Sequence, residues 1–265
     1  MATITLPSAV WSQSRGNSIG IVLNDVHSGL NATEVGEIFR PLTLDALSEL
    51  IAKTTNDGRV ISLSGGRHAM GGQQFAENAF HVDTSSLDRV IHFDRHAGTI
   101  EVEAGIQWPA LIDYLISYQQ GQPSQWGIVQ KQTGADRLSL GGALSANIHG
   151  RGLDFQPLVE DIESFTLIDG RGERRLCSRR SNSELFQLAI GGYGLFGVIR
   201  SVTIRLGKRQ KLQRVVEILD IEELVPRLES RVNEGYLYGD FQYDIDESLD
   251  RFMKRGILSC YQPVD

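Results

Sequence analysis

Ser64-Gly65-Gly66-Arg67-His68-Ala69-Met70-Gly71-Gly72-Gln73 decides how this chain reads. It follows directly on a predicted strand, Arg59 to Leu63, and four of its residues are glycine. Upstream, Glu37 to Arg40 reads as a short strand stopped by Pro41. Thr43 then caps a helix that carries Leu44, Leu47, Leu50 and Ile51 on one face. Asn56-Asp57-Gly58 is a turn signal, so the unit is β-α-β with glycines where its second strand ends. Glycines there admit backbone conformations closed to other residues. Successive N–H groups can then turn inward as a nest for a diphosphate. A glycine-rich surface turn without a ligand is the competing reading, and on this stretch alone the two stand level.

Two further glycine clusters lie downstream. Leu138-Ser139-Leu140-Gly141-Gly142-Ala143-Leu144-Ser145-Ala146-Asn147-Ile148-His149-Gly150 follows an amphipathic helix with Trp108, Leu111, Ile112, Leu115 and Ile116 in register and Pro109 in its first turn. Gly191-Gly192-Tyr193-Gly194-Leu195-Phe196-Gly197 stands between a predicted helix, Ser183 to Ile190, and a predicted strand, Val198 to Leu206. Its Gly192-x-Gly194-x-x-Gly197 spacing matches the dinucleotide fingerprint, which needs a strand before it and a helix after. The order here is reversed, and the Rossmann reading fails. Phe80 to Asp83 reads as a strand. Two hairpins are predicted, Arg89–Phe93 with Thr99–Glu103 and Glu163–Ile168 with Glu173–Cys177. One turn needs one or two glycines. Three separate clusters suit a long cofactor that approaches the backbone at several points, and flavin adenine dinucleotide (FAD) meets that demand.

The three stretches in this order resemble the signatures of the vanillyl-alcohol oxidase and p-cresol methylhydroxylase (PCMH-type) superfamily of FAD-binding oxidoreductases. The first resembles its flavin-attachment loop, Leu140 to Gly150 its second signature, and Glu184-Leu185-Phe186 with Gly191 to Ile199 its third. The resemblance implies that Ser64, Gly65, Gly66, Arg67, His68, Gly72 and Gln73 wrap the diphosphate and the dimethylbenzene side of the flavin. It implies that Gly134, Ser139, Gly141, Gly142 and Ser145 continue along the diphosphate and ribityl chain. Ile148 and His149 would lie beside the isoalloxazine ring, and Gly194 and the backbone of Ile199 at the adenosine end. His68 occupies the position that bonds covalently to the flavin 8α-methyl group in many members. Arg67 stands where some covalent members have glycine, and Ala69 where serine is common. Members with a second covalent link use a cysteine in the middle stretch, and none lies between Gln130 and Gly150.

The implied fold is α+β: a PCMH-type FAD-binding domain of two α+β sub-domains at residues 37–207, after an irregular segment 1–36. Residues 208–265 would begin an α/β substrate or cap domain that continues beyond this sequence. In that segment Leu212–Leu219, Tyr236–Tyr243 and Ile257–Tyr261 read as strands. Asp220 and Glu223 have capping-box spacing, and Pro226 suits only a first turn or a kink. The implied reaction is two-electron oxidation, with hydride passing from a substrate CH–OH group to flavin N5. The substrate would be an alcohol, polyol, sugar or hydroxy acid, and oxygen or another acceptor would take the electrons. A flavin-binding protein without turnover, or an NADPH-dependent reductase of the same fold, are the alternatives. No catalytic base can be assigned; His149, near the ring, is the one candidate.

Composition agrees with a folded domain of this kind. The 265 residues are 41% hydrophobic and 22% charged, enough for one large or two small domains. A net charge of −7 gives no nucleic-acid footprint, and backbone amides can still hold a diphosphate. Cys177 and Cys260 offer neither a disulfide framework nor a zinc site. No apolar run reaches the ~18 residues of a membrane span, and Met1 to Ser14 lacks signal-peptide features, so a cytoplasmic protein is expected. His92 and His96 flank a hairpin turn and share no helix face, so no metal is expected there or elsewhere. Asp154, Glu160, Asp161 and Glu163 read as a solvated acidic loop, Trp108 and Trp126 as core and loop anchors, and Cys177 as an inert strand residue.

Overall fold

A computed structural model describes residues 11–14, 20–132 and 134–264. Among its described residues, the expected irregular segment 1–36 holds three short strands, β1 (Trp11–Ser14), β2 (Ile21–Leu23) and β3 (Thr33–Val35). Residues 1–10 and 15–19 of that segment lie outside the described residues, as does Asp265. These strands are too short to show alternation, and pairing alone reveals them: β2 pairs with β3 antiparallel.

The β-α-β unit forms as expected. β4 (Glu37–Pro41), α1 (Leu44–Asn56), β5 (Ile61–Ser64) and β6 (Phe80–Asp83) follow in order. β6 pairs in parallel with both β4 and β5, and β1 adds antiparallel to the outer side of β4. The Thr43 hydroxyl accepts from the Ala46 amide at 3.1 Å, capping α1. Leu47, Leu50 and Ile51 then pack against Val82, Leu87 and Ile168. The parallel order places the end of β5, and the glycine loop that leaves it, at one rim of the sheet.

The second layer contains β7 (Val90–Asp94), β8 (Thr99–Glu103), α2 (Trp108–Tyr118), β9 (Trp126–Gly127), α3 (Leu140–Ser145), β10 (Ile162–Ile168), β11 (Arg174–Ser178), α4 (Ser183–Ala189) and β12 (Val198–Arg205). Its five-stranded antiparallel sheet runs β11-β10-β12-β8-β7. Trp108, Leu111, Leu140, Leu144 and Phe186 from the helices close a core with Ile100, Val102, Phe165 and Val202 from the sheet. Ile116, expected on the buried face of α2, is 47% exposed, because Trp108, Leu111 and Leu115 already fill the contact stripe. α4 precedes the third glycine cluster and β12 follows it, the helix-before-strand order that sets it apart from a Rossmann turn.

The expected boundary at Lys208 to Lys211 is partly stitched to the second layer, since β13 (Gly207–Lys208) pairs with β9. Beyond it lie β14 (Lys211–Asp220), α5 (Ile221–Asn233), β15 (Tyr238–Tyr243) and β16 (Arg255–Val264). The expectation of an α/β arrangement here is corrected. β14 and β15 run in one direction and are joined through α5, but β16 lies between them, so every pairing is antiparallel. This is a split β-α-β unit. The Glu223 carboxylate accepts from the Asp220 amide at 3.3 Å, as the capping-box spacing predicts. Pro226 lies inside α5, beyond the first turn, which was one of the two places expected for it.

Candidate functional site

The three glycine clusters, far apart in sequence, meet around one short helix. α3 is begun by Ser139, whose hydroxyl accepts from the Gly142 amide at 3.4 Å. The first loop packs on this end. A Cβ added at Gly65 would fall 2.1 Å from Ser139 Oγ, and one at Gly66 would fall 2.3 Å from the Arg137 carbonyl oxygen. Only glycine permits that approach. The third cluster packs on the other end of α3, where the Gly191 amide donates to the Leu144 carbonyl at 3.1 Å and the Tyr193 amide to the Ser145 carbonyl at 3.0 Å. Those two carbonyls belong to the last turn of the helix, where the Leu144 carbonyl also accepts from the Asn147 amide at 3.0 Å.

The clusters differ in what their amides do. At the start of α3, Leu140 donates to the Ile106 carbonyl at 2.8 Å and Gly141 to the Ala104 carbonyl at 2.7 Å. Gly141 is buried, and a Cβ there would stand 2.8 Å from that of Ala104. Its missing side chain thus serves helix-to-strand packing, and this helix end offers no open anion site. Among the described residues, by contrast, the amides of Gly65, Gly66, Arg67 and His68 donate to no main-chain carbonyl. Arg67 among them holds φ at 56°, a left-handed conformation that costs a non-glycine residue about 1 kcal/mol or more. Glycine would adopt this conformation without that cost. Tyr193 (φ 51°) carries the same strain in the third cluster, and Asn147 (φ 44°), a residue that visits this region more readily, adopts it in the second.

His68 is half-buried, and its Nδ1 is enclosed without a hydrogen-bond partner among the described residues. Burial, and then the nearby His27, push its pKa down, while the Arg137 backbone carbonyl opposes them. The Ser64 side chain turns away from the loop: its hydroxyl lies 2.8 Å from His81 Nε2, and Ser62 Oγ lies 2.8 Å from His81 Nδ1. His81 is 1% exposed, and burial lowers its pKa to about 4, so it is a neutral strut beneath the loop. Sequence reading missed it because no motif contains it. Its role arises from the β5–β6 register, which sets His81 opposite Ser62.

The remaining expected residues fall as follows. Gly72 (φ 71°) sits against Asn31, and Gln73 is exposed. Its neighbour Gln74 reaches back to the Ala69 carbonyl at 2.9 Å. Gly134 (φ 89°) and Gly194 (φ 82°) have open space where a side chain would be. Ser145 is partly buried, and Ile148 packs on the central core. Ile199 is buried in that core, leaving only its main chain for a ligand. His149 is exposed, with Nδ1 3.0 Å from the Gly150 carbonyl. The segment after it is stitched to the C-terminal sheet: Gly239 donates to the Arg151 carbonyl at 2.9 Å, and Arg151 pairs with Asp240 at 2.9 Å.

In the acidic segment Asp154, Glu160 and Glu163 are exposed as expected, and Asp161 is the exception. Asp161 is buried beside a cavity of about 350 Å³ lined by Val129, Gln130, Phe155, Glu160 and Arg205, and burial raises its pKa to about 6. Cys177 is fully buried, and burial pushes its thiol up to about 11. Among the described residues, no helix is long and apolar enough to cross a membrane.

Known proteins resemble this chain over much of its length. Residues 37–178, more than half of the chain, match the family model of the FAD binding domain. An uncharacterized oxidoreductase, ORF5 in the fasciation locus of Rhodococcoides fascians, is 31% identical over 166 residues, 63% of this chain and 36% of its own length. L-gulonolactone oxidase of Bos taurus is 24% identical over 198 residues, 74% of this chain and 43% of its own. Cytokinin dehydrogenase 3 of Oryza sativa subsp. japonica is 31% identical over 151 residues, 55% of this chain and 27% of its own. The chain belongs to the FAD-binding-domain family, within the PCMH-type superfamily of FAD-binding oxidoreductases. It spans less than half the length of the curated relatives it matches.

Proposed function

We propose that this chain is the FAD-binding portion, residues 37–207, and the first part of the substrate domain, residues 208–265, of an FAD-linked oxidase or dehydrogenase acting on CH–OH donors. The observation that carries this reading is the run of amides from Gly65 to His68, which donate to no main-chain carbonyl among the described residues, beside a glycine-packed helix. Such a nest suits the two phosphates of FAD, and its donors need no lysine. The Arg67 guanidinium adds a charge on the same loop. The ribityl chain would continue past Gly134, Ser139, Gly142 and Ser145, and the adenosine end would rest at Gly194 and the main chain of Ile199. Ser64 and Gly141 act one step back, the first by fixing the loop to His81 and the second by seating α3 on Ala104.

His68 is the proposed point of covalent attachment. Its enclosed, unbonded Nδ1 is a nitrogen free to carry a carbon substituent, and its lowered pKa favours the neutral ring that such bonding requires. Bound flavin supplies the redox chemistry, accepting hydride from the substrate carbon and passing electrons to oxygen or another acceptor. The chain's own part is to hold, orient and shield. Ile148 and His149 would flank the ring, and the stitching of Arg151 to the C-terminal sheet would set that sheet as one wall of the substrate site. An alcohol, polyol, sugar or hydroxy acid is the substrate class that this reading implies; the gulonolactone oxidase among the relatives carries a substrate of that kind in its name. Intact-mass measurement after expression with ample riboflavin tests the reading. A mass excess of one FAD that disappears in His68→Ala is expected, and the bare polypeptide mass in both would overturn covalent attachment.

A further inference from the structure

The segment ahead of the first sheet folds onto the attachment loop. Asp25 is its hub. The Asp25 carboxylate accepts from the amides of His27 at 3.1 Å and Ser28 at 2.6 Å, and from the Asn31 side chain at 2.8 Å. The Asn31 bond above all, with those from Ser28 and Gly29, holds that carboxyl well below the usual carboxylate range. Asn24 closes the same loop, accepting from the amides of Asp25 at 2.9 Å and Asn31 at 2.8 Å. Two bonds then pin this rigid turn to the glycine loop. The Val26 amide donates to the Arg67 carbonyl at 2.9 Å, and the Asn31 side chain donates to the Met70 carbonyl at 2.7 Å. The pins fall on either side of His68. Between them the His27 ring meets the His68 ring edge-on, with centroids 4.8 Å apart and planes at 67°.

We propose that His27 is a positioning residue for flavin attachment, holding the His68 imidazole in the one orientation that leaves Nδ1 unbonded. The inference rests on His68 being the attachment point. His27 also helps to hold the His68 pKa down, which keeps the His68 lone pair available. In the attachment step one C–H bond of the flavin 8-methyl group and the imidazole N–H bond are lost, and one C–N bond forms. The electron pair passes to the flavin ring and from there to dissolved dioxygen, which leaves as hydrogen peroxide with the two protons. His27 joins no bond in this balance. It fixes the ring that does.

The test follows attachment in time. Flavin-free chain is mixed with FAD in air, and the covalent fraction is read by intact mass, while non-covalent affinity is read separately by flavin fluorescence. His27→Ala is expected to slow attachment by about tenfold or more, the scale on which lost orientation acts. Its FAD affinity should stay within about twofold of wild type. Asn31→Ala, which removes both the Met70 pin and a bond of the Asp25 hub while keeping the His27 ring, frees His27 from its seat and is expected to slow attachment as well. An unchanged rate in His27→Ala, with wild-type chain fully attached, would overturn the role of His27 alone. Absence of any covalent mass in wild type would overturn it together with the attachment at His68. Should His27→Ala melt early, His27→Phe keeps a ring against His68 and decides the matter: attachment at the wild-type rate shows that ring contact suffices to position it, and attachment as slow as in a His27-free loop overturns the proposal.

Discussion

The loop from Ser64 to Gln73 and the helix from Leu140 to Ser145 are both glycine-rich, and in sequence they look like two instances of one device. In the structure they do opposite things. The helix has its first amides engaged with Ile106 and Ala104 and uses Gly141 to come close to a strand. The loop leaves its amides open and holds Arg67 in a strained conformation to do so. Glycine content therefore does not distinguish a ligand cradle from a packing joint. The partner of each N–H does.

The largest expected effect concerns the strut under the loop. The pKa of His81 is lowered from 6.5 to about 4, so the unfolded chain takes up a proton before the folded one does. Its contribution is complete above pH 6.5 and is lost as pH falls through about 4, a loss of about 3 kcal/mol at 1.36 kcal/mol per unit. Asp161, raised to about 6, works in the opposite sense: its folded form gains the proton first, and stability rises as pH falls from about 6. Urea melts at pH 7 and pH 4 of Asp161→Asn, with and without His81→Gln, give the His81 contribution by difference, and an equal pH dependence in the two would remove the strut from the account.

Gly141→Ala tests the helix. Its Cβ would collide with Ala104, so a loss of about 2 kcal/mol is expected, the scale of overpacking, with FAD present or absent. A loss seen only with FAD present would make Gly141 a ligand contact and collapse the contrast. Arg67→Gly tests the loop. Relief of the left-handed strain should stabilise the flavin-free chain by about 1 kcal/mol in thermal melts, before the loss of the charge is felt on FAD binding. Destabilisation there would mean that the arginine side chain, rather than the backbone, holds the loop.

Much of this was legible in the sequence. α1 with its Thr43 cap, α2, both hairpins of the second layer and the helix-before-strand order at the third cluster follow from periodicity and turn residues. What escaped is instructive. α3 was hidden because glycine at 141 and 142 argues against a helix, and only the close strand beneath explains it. The clasp from Asn24 to Asn31 has no periodicity, since it is built from side-chain bonds to its own backbone. His81 needed the parallel register of β5 on β6, a long-range fact with no local signal. The antiparallel C-terminal sheet escaped because strand and helix order is the same whether β16 inserts between β14 and β15 or adds at an edge.

Amide resonances of the labelled chain, followed while FAD is added, test the central contrast most directly. The signals of Gly65, Gly66, Arg67 and His68 should shift and gain protection from exchange, while Leu140 and Gly141 should be protected from the outset and move little. Loop signals that stay where they are at saturating FAD, or helix amides that become protected only when it binds, would contradict the account.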